Sequence, residues 1–136
     1  MKPIEALYNI KDSDHKLIEV NALIVPFKDS SDLVVGVELN FGHKKIFFNA
    51  MEDDSIELSH KPPNELDIFK KNVSKEWPWI NALGKGILWY WVMTNNQGYQ
   101  DAFQIDFSNS AEDDNYRIQF LAIGSGIKIY EVKKDS

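Results

Sequence analysis

From Ile87 to Met93 every residue is apolar; Asn95-Asn96-Gln97-Gly98 then breaks the run, and Tyr99 to Phe107 resumes as an apolar-polar alternation. Two such arms around a short Asn/Gly segment predict a β-hairpin at the middle of a sheet. The first arm is apolar on both faces, with Trp89, Trp91 and Met93 on one and Leu88, Tyr90 and Val92 on the other, as expected of a strand covered on both sides. The second puts Tyr99, Phe103, Ile105 and Phe107 on one side and Gln100, Gln104 and Asp106 on the other, so it is expected to be buried on one face only. A hairpin of this kind dictates architecture and is silent on chemistry.

The same reading extends along the chain. Pro3 followed by Ile4, Leu7 and Tyr8 predicts a short N-terminal helix that ends before Asp12-Ser13-Asp14. Strands are expected at 17–25, 33–41, 45–51 and 56–59, and again at 99–108, 117–123 and 127–132, with turn-rich pieces such as 28–32 between them. Pro62-Pro63 closes the first set. Asn64 is placed to cap a helix whose apolar positions are Leu66, Phe69 and Val73, and a second short helix is expected from Ser74 through Pro78 and Trp79 to a stop at Gly84. The two strand sets resemble each other: 37–41 pairs in pattern with 103–107, and 45–51 with 117–123. That likeness suggests a duplicated four-strand unit, 17–59 and 87–132, joined by a helical connector at 62–84. Patterning of any two half-buried meanders offers the plainer explanation.

A chain of 136 residues fits a single globular domain, 1–136. The longest apolar run is far short of the roughly twenty residues of a spanning helix, so no membrane association is expected. The N-terminal Met1-Lys2-Pro3-Ile4-Glu5 lacks a secretory apolar core, and there is no cysteine; both fit a cytoplasmic location. A net charge of −6 argues against a nucleic-acid partner, whose phosphates draw clustered Lys and Arg. It favours a basic protein instead.

The segment 84–107 carries Gly84-Lys85, then Trp89-x-Trp91, then Asn95-x-Gln97-Gly98-Tyr99-x-Asp101. In these features the chain resembles a small, functionally uncharacterised family of bacterial proteins, over its second half and more weakly over 33–59. The resemblance bears on the fold and implies no activity.

Six residues are singled out as ligand or partner candidates: Trp77, Trp79, Trp89, Trp91, Tyr99 and Asp101. The four tryptophans could form an aromatic platform. Trp89 and Trp91 are expected in the core because they lie among apolar strand neighbours, whereas Trp77 and Trp79 flank Pro78 and are the better choice for a partner surface. Asp101 shares a face with Tyr99 and Phe103, where a carboxylate needs a partner: an indole N–H, a Tyr hydroxyl, Arg117, solvent at the strand end, or a ligand.

Other chemistry is poorly supported. His15, His43 and His60 have no metal-ligand spacing, and Glu52-Asp53-Asp54 and Glu112-Asp113-Asp114 lack the ligand pattern of a calcium loop. Gly124-Ser125-Gly126 precedes a strand where a phosphate cradle opens a helix, and no serine sits in a nucleophile elbow. Neither a catalytic residue nor a metal or cofactor is expected.

These readings converge on an α+β fold, predominantly antiparallel β with about seven or eight strands and short helices at the N-terminus and between the strand sets. Sandwich and partly open barrel remain equally open. For function, three classes follow. One is a non-enzymatic protein-binding module resembling small acidic immunity proteins, steered toward a basic partner; another is a small-molecule binder or enzyme with a cleft near Asp101. The last is a structural or oligomerising module pairing through an exposed edge such as 127–132.

Overall fold

The computed structural model describes residues 2–11, 13, 15–26, 32–64, 67–109 and 115–133. Helix α1 (Pro3–Lys11) begins at the expected proline, carries Glu5 in its first turn and Lys11 in its last, and buries Ala6, Leu7 and Ile10 along one stripe. Nine strands follow: β1 (Glu19–Pro26), β2 (Asp32–Asn40), β3 (Lys45–Ala50), β4 (Ile56–Ser59), β5 (Phe69–Asn72), β6 (Gly86–Thr94), β7 (Gln100–Ser108), β8 (Tyr116–Ile123) and β9 (Gly126–Val132). They form a five-stranded sheet of order β4-β3-β2-β1-β5 and a four-stranded sheet of order β6-β7-β8-β9, antiparallel throughout. Within β1–β4 and within β6–β9, strands consecutive in sequence are neighbours.

The sheets pack face to face as a sandwich. Phe48 of β3 lies edge-on to Phe103 of β7, with ring centroids 5.2 Å apart, and 4.2 Å from Phe120 of β8. Around them Val37, Leu39, Ile46, Ile105, Phe107 and Ile118 complete one apolar cluster shared by both sheets and α1. At one corner β9 runs close to β2. A Cβ added to Gly126 would stand 2.5 Å from Leu33 Cδ1 and 3.1 Å from the Val34 carbonyl, so a larger residue here would displace the Leu33 side chain and crowd the β2 backbone. α1 packs beside β6, β3 and β4 and lies along the β6 edge, one way in which proteins shield such edges from stray pairing.

The connector departs from expectation. Where a helix carrying Phe69 and Val73 was anticipated, 69–72 forms β5, paired with Asn21–Ile24 of β1; Leu66 lies outside the described residues. The cause is tertiary. The open edge of β1 offers a row of unpaired N–H and C=O groups that a short segment satisfies better as a strand than as an isolated helical turn. Ser74 then clamps the junction, its Oγ accepting from Val20 N–H at 2.8 Å. The second expected helix shrinks to one 3-10 turn, Trp79–Asn81, after which Gly84, at φ +79°, ends the segment as anticipated.

β4 and β5 lie on opposite edges of the five-stranded sheet, and the described part of the connection between them, 60–64, passes over its outer face. Pro63 packs over Gly36, where an added Cβ would meet Pro63 Cγ at 2.8 Å. Beneath the crossing, Asn21, Leu23, Glu38, Phe47 and Asn49 are all buried. Glu38 accepts a hydrogen bond from Asn21 Nδ2 at 2.6 Å and pairs with Lys70 of β5 at 3.7 Å. The five-stranded sheet is thus covered on both faces. Among the described residues, the four-stranded sheet is covered on one.

Candidate functional site

Hairpin register decides what the uncovered face displays. The β6–β7 turn forms as the residue types imply: Asn95 Oδ1 accepts from Gln97 N–H at 2.9 Å and Tyr99 N–H at 3.1 Å, and Gly98 takes φ +87°. Pairing outward from it sets Trp91 opposite Gln104 and Trp89 opposite Asp106, and the next ladder sets Gln104 opposite Gln119 and Asp106 opposite Arg117. β9 adds Tyr130 opposite Gln119 and Lys128 opposite Leu121. Side chains two apart on a strand share a face, so Trp89, Trp91, Gln104, Asp106, Arg117, Gln119 and Tyr130 form one outer surface.

This surface corrects the expectation that Trp89 and Trp91 are core residues. Trp89 is 56% exposed and Trp91 39%, whereas Trp79, expected near the surface, is 4% exposed and stacks edge-on against Phe107 and Phe120. Trp77 is exposed, as anticipated, at 62%. The physical reason lies in the inner positions of β6. Ile87, Tyr90 and Val92 already fill the space against the second sheet, leaving the indoles on the other side.

There the indoles lean on cations. The Arg117 guanidinium stands 4.5 Å from the Trp91 ring centroid, and Lys11 Nζ stands 4.6 Å from that of Trp89 and 5.7 Å from that of Tyr8. Arg117 donates from Nε to Asp106 Oδ1 at 2.7 Å and from Nη2 to Asp106 Oδ2 at 3.0 Å, a bidentate pair with a nearly buried carboxylate. The hydrogen bond to Asp106 raises the Arg117 pKa further above its ordinary value, burial opposing this in smaller measure, and the side chain stays charged at any working pH. Beside the pair, Gln104 Nε2 donates to Gln119 Oε1 at 2.7 Å.

Tyr90 marks where the helix meets this strand. Burial first, and the neighbouring Tyr8 second, push its phenol above the ordinary value of 10. The unfolded chain therefore releases this proton at lower pH than the folded one, so the contribution is intact below about pH 10 and is lost as pH rises through the folded value. Chemical denaturation should show a stability decline, as pH rises past the ordinary tyrosine value of about 10, that is shallower in Tyr90→Phe than in the parent. An equal slope in both proteins would refute the assignment.

Asp101 and Tyr99 lie at the turn end of the hairpin, outside the paired positions named above. Asp101 occupies the β-bulge between Met93↔Ala102 and Thr94↔Gln100, half-buried at the strand end, with no hydrogen bond or ion pair among the described residues; Arg117 is committed to Asp106. Tyr99 is exposed beside the turn.

Two concavities lie away from this face. A cleft of about 630 Å³ runs between the β3–β4 turn and the crossing segment, lined by Glu52, Asp53, Glu57, Lys61 and Pro63 among others. Asn49 at its floor donates from Nδ2 to the Lys61 carbonyl at 2.9 Å, while its buried Oδ1 has no donor among the described residues. A crevice of about 270 Å³ opens between the sheets beside Trp77, Pro78 and Trp79, over Val37 and Ile127. Among the described residues no cluster of three His, Asp or Glu is arranged for a metal, and no helix is long and apolar enough to cross a membrane. Glu112-Asp113-Asp114 and residues 28–31 lie outside the described residues.

No curated protein and no solved structure matches the chain. A family match does cover nearly its whole length: over residues 5–136 the sequence fits the family of unknown function DUF6334, and the chain belongs to that family.

Proposed function

We propose that the protein is a binding module that engages another protein through the outer face of its four-stranded sheet. The observation that carries this reading is the exposure of Trp89 and Trp91 on a sheet face over which no strand or helix packs among the described residues, while the other sheet's outer face is crossed by the protein's own chain at Pro63. Trp, Tyr and Arg are the residue types that dominate binding energy at protein interfaces, and here they stand together on a rigid sheet. Their setting is preorganised: Arg117 and the Gln104–Gln119 pair are held by hydrogen bonds before any partner arrives, which lowers the ordering cost of association. Size, the lack of a catalytic signature and the resemblance to uncharacterised bacterial proteins accord with a small immunity-like or escort protein acting in the cytoplasm.

The test is site-specific crosslinking in the source cell. A photoreactive residue placed at Gln119 should yield a discrete protein adduct, and the same residue at Glu57, on the far sheet, should not. The adduct should vanish in the Trp89→Ser/Trp91→Ser variant, in which loss of the exposed rings costs about 1 kcal/mol each and leaves the fold intact. Absence of an adduct at Gln119, or an adduct indifferent to the two tryptophans, would defeat the proposal.

A further inference from the structure

The whole chain is acidic, and its net charge of −6 by itself points to a basic partner. Charge on the uncovered face has the opposite sign. Its outer register positions carry Arg117 and Lys128 against a single described carboxylate, Asp106, and Lys11 reaches onto the face from α1 to sit over Trp89. Asp106 is already engaged by Arg117. Neither Lys11 nor Lys128 has a carboxylate partner among the described residues. Acids elsewhere on the surface are screened over about 8–10 Å in physiological salt, so at contact the local sign governs and the global one does not.

Arg117 makes the chemistry specific. A guanidinium has five N–H donors in a planar fork; Asp106 takes one from Nε and one from Nη2, leaving both Nη1 hydrogens and the second on Nη2 unused. The two-point bond to Asp106 fixes the plane in which those donors point, with the guanidinium 4.5 Å from the Trp91 ring centroid. A second carboxylate arriving in that plane would find preset donors, with an indole beside it to cover an apolar neighbour.

We infer that this face docks an acidic protein surface, one that presents carboxylates to Arg117, Lys11 and Lys128 and apolar side chains to Trp89 and Trp91. The inference rests on the binding role proposed above and adds the chemistry of the partner. Nucleic acid fits less well, since three cations on an acidic chain neutralise few phosphates. A second copy docking through the same face would set these cations against one another.

The experiment is selection of short random peptides displayed on phage against the full-length protein at about 0.15 M salt, followed by affinity measurement on variants. Selected peptides should be rich in Asp and Glu beside aromatic or aliphatic residues. Their binding should fall about tenfold in Trp89→Ser/Trp91→Ser, and by a similar factor, mainly in association rate, in Lys11→Glu/Lys128→Glu. Peptides that need the tryptophans yet are rich in Lys and Arg, or ignore the lysine reversals, would overturn the acidic partner and leave the binding role standing. Peptides indifferent to the tryptophans, or no enrichment at all, would overturn both. An oligothymidine that shifts the Trp89 and Trp91 indole N–H resonances more strongly than the selected peptides would replace the protein partner with nucleic acid.

Discussion

Phe120→Ala lowers the unfolding free energy by about 4 kcal/mol, within the range measured for emptying an aromatic site in a closed core. Phe120 has no exposed surface and stands where three elements meet: Phe48 from β3 at 4.2 Å, Trp79 from the 3-10 turn at 5.6 Å, and its own sheet neighbour Phe103. Removing the ring leaves a void that neither sheet can close, because the β2–β9 corner at Gly126 and the α1 side already pin the sheets at their spacing. For a domain of this size the loss corresponds to a midpoint lower by roughly 10–15 °C. Urea denaturation and thermal circular dichroism both read it, and a drop of less than about 1 kcal/mol would mean that the sheets do not share one core.

Arg117→Met costs about 2–3 kcal/mol, less than the full cost of orphaning a deeply buried charge because the arginine side chain is one-quarter exposed. What it strands is the Asp106 carboxylate, whose side chain is only 3% exposed and whose bidentate cation disappears. Trp91 loses its stacked guanidinium in the same step. The Asp106→Leu/Arg117→Met double variant should recover most of the loss, since matched apolar replacements remove the desolvation penalty along with the attraction. Purely additive costs in the cycle would show that the two groups do not depend on each other. Arg117→Lys falls between, as an ammonium keeps the charge and loses both the fork and the stacking.

These two residues bracket what could be read in advance. Phe120 was legible: it falls at a core position in a strand whose alternation places Ile118 and Ala122 on the same side. The Asp106–Arg117 pair was half legible. Each residue could be assigned to the polar face of its strand, while their opposition depends on the β7–β8 register and hence on a loop whose length alone does not determine it.

The tryptophans show where local pattern misleads. β6 is apolar on both faces, and that pattern names no preferred side; burial on both was the natural expectation. The corrective signal was the polar face of β7. Once the Asn95 turn sets the pairing, Trp89 and Trp91 must lie with Asp106 and Gln104, and the expectation of a core position fails. Long basic side chains then make the exposed rings tolerable by lying over them. Trp79 misled in the reverse sense, because proximity to a proline suggested a surface turn and the chain instead tucks the ring against Phe107.

Period-two alternation and turn chemistry, both properties of neighbouring residues, determined the eight strands outside the connector, the N-terminal helix and the hairpin at the centre. Tertiary structure alone decided that 69–72 would pair as a ninth strand, that Pro63 would pack over the outer face of one sheet, and that the other sheet would present Trp89, Trp91 and Arg117 on a face left open among the described residues. The reason is that side-chain periodicity is written within a few residues, whereas which edge is left unpaired and which face is left uncovered depend on segments fifty or more positions apart, such as β1 with Ser74, meeting in space.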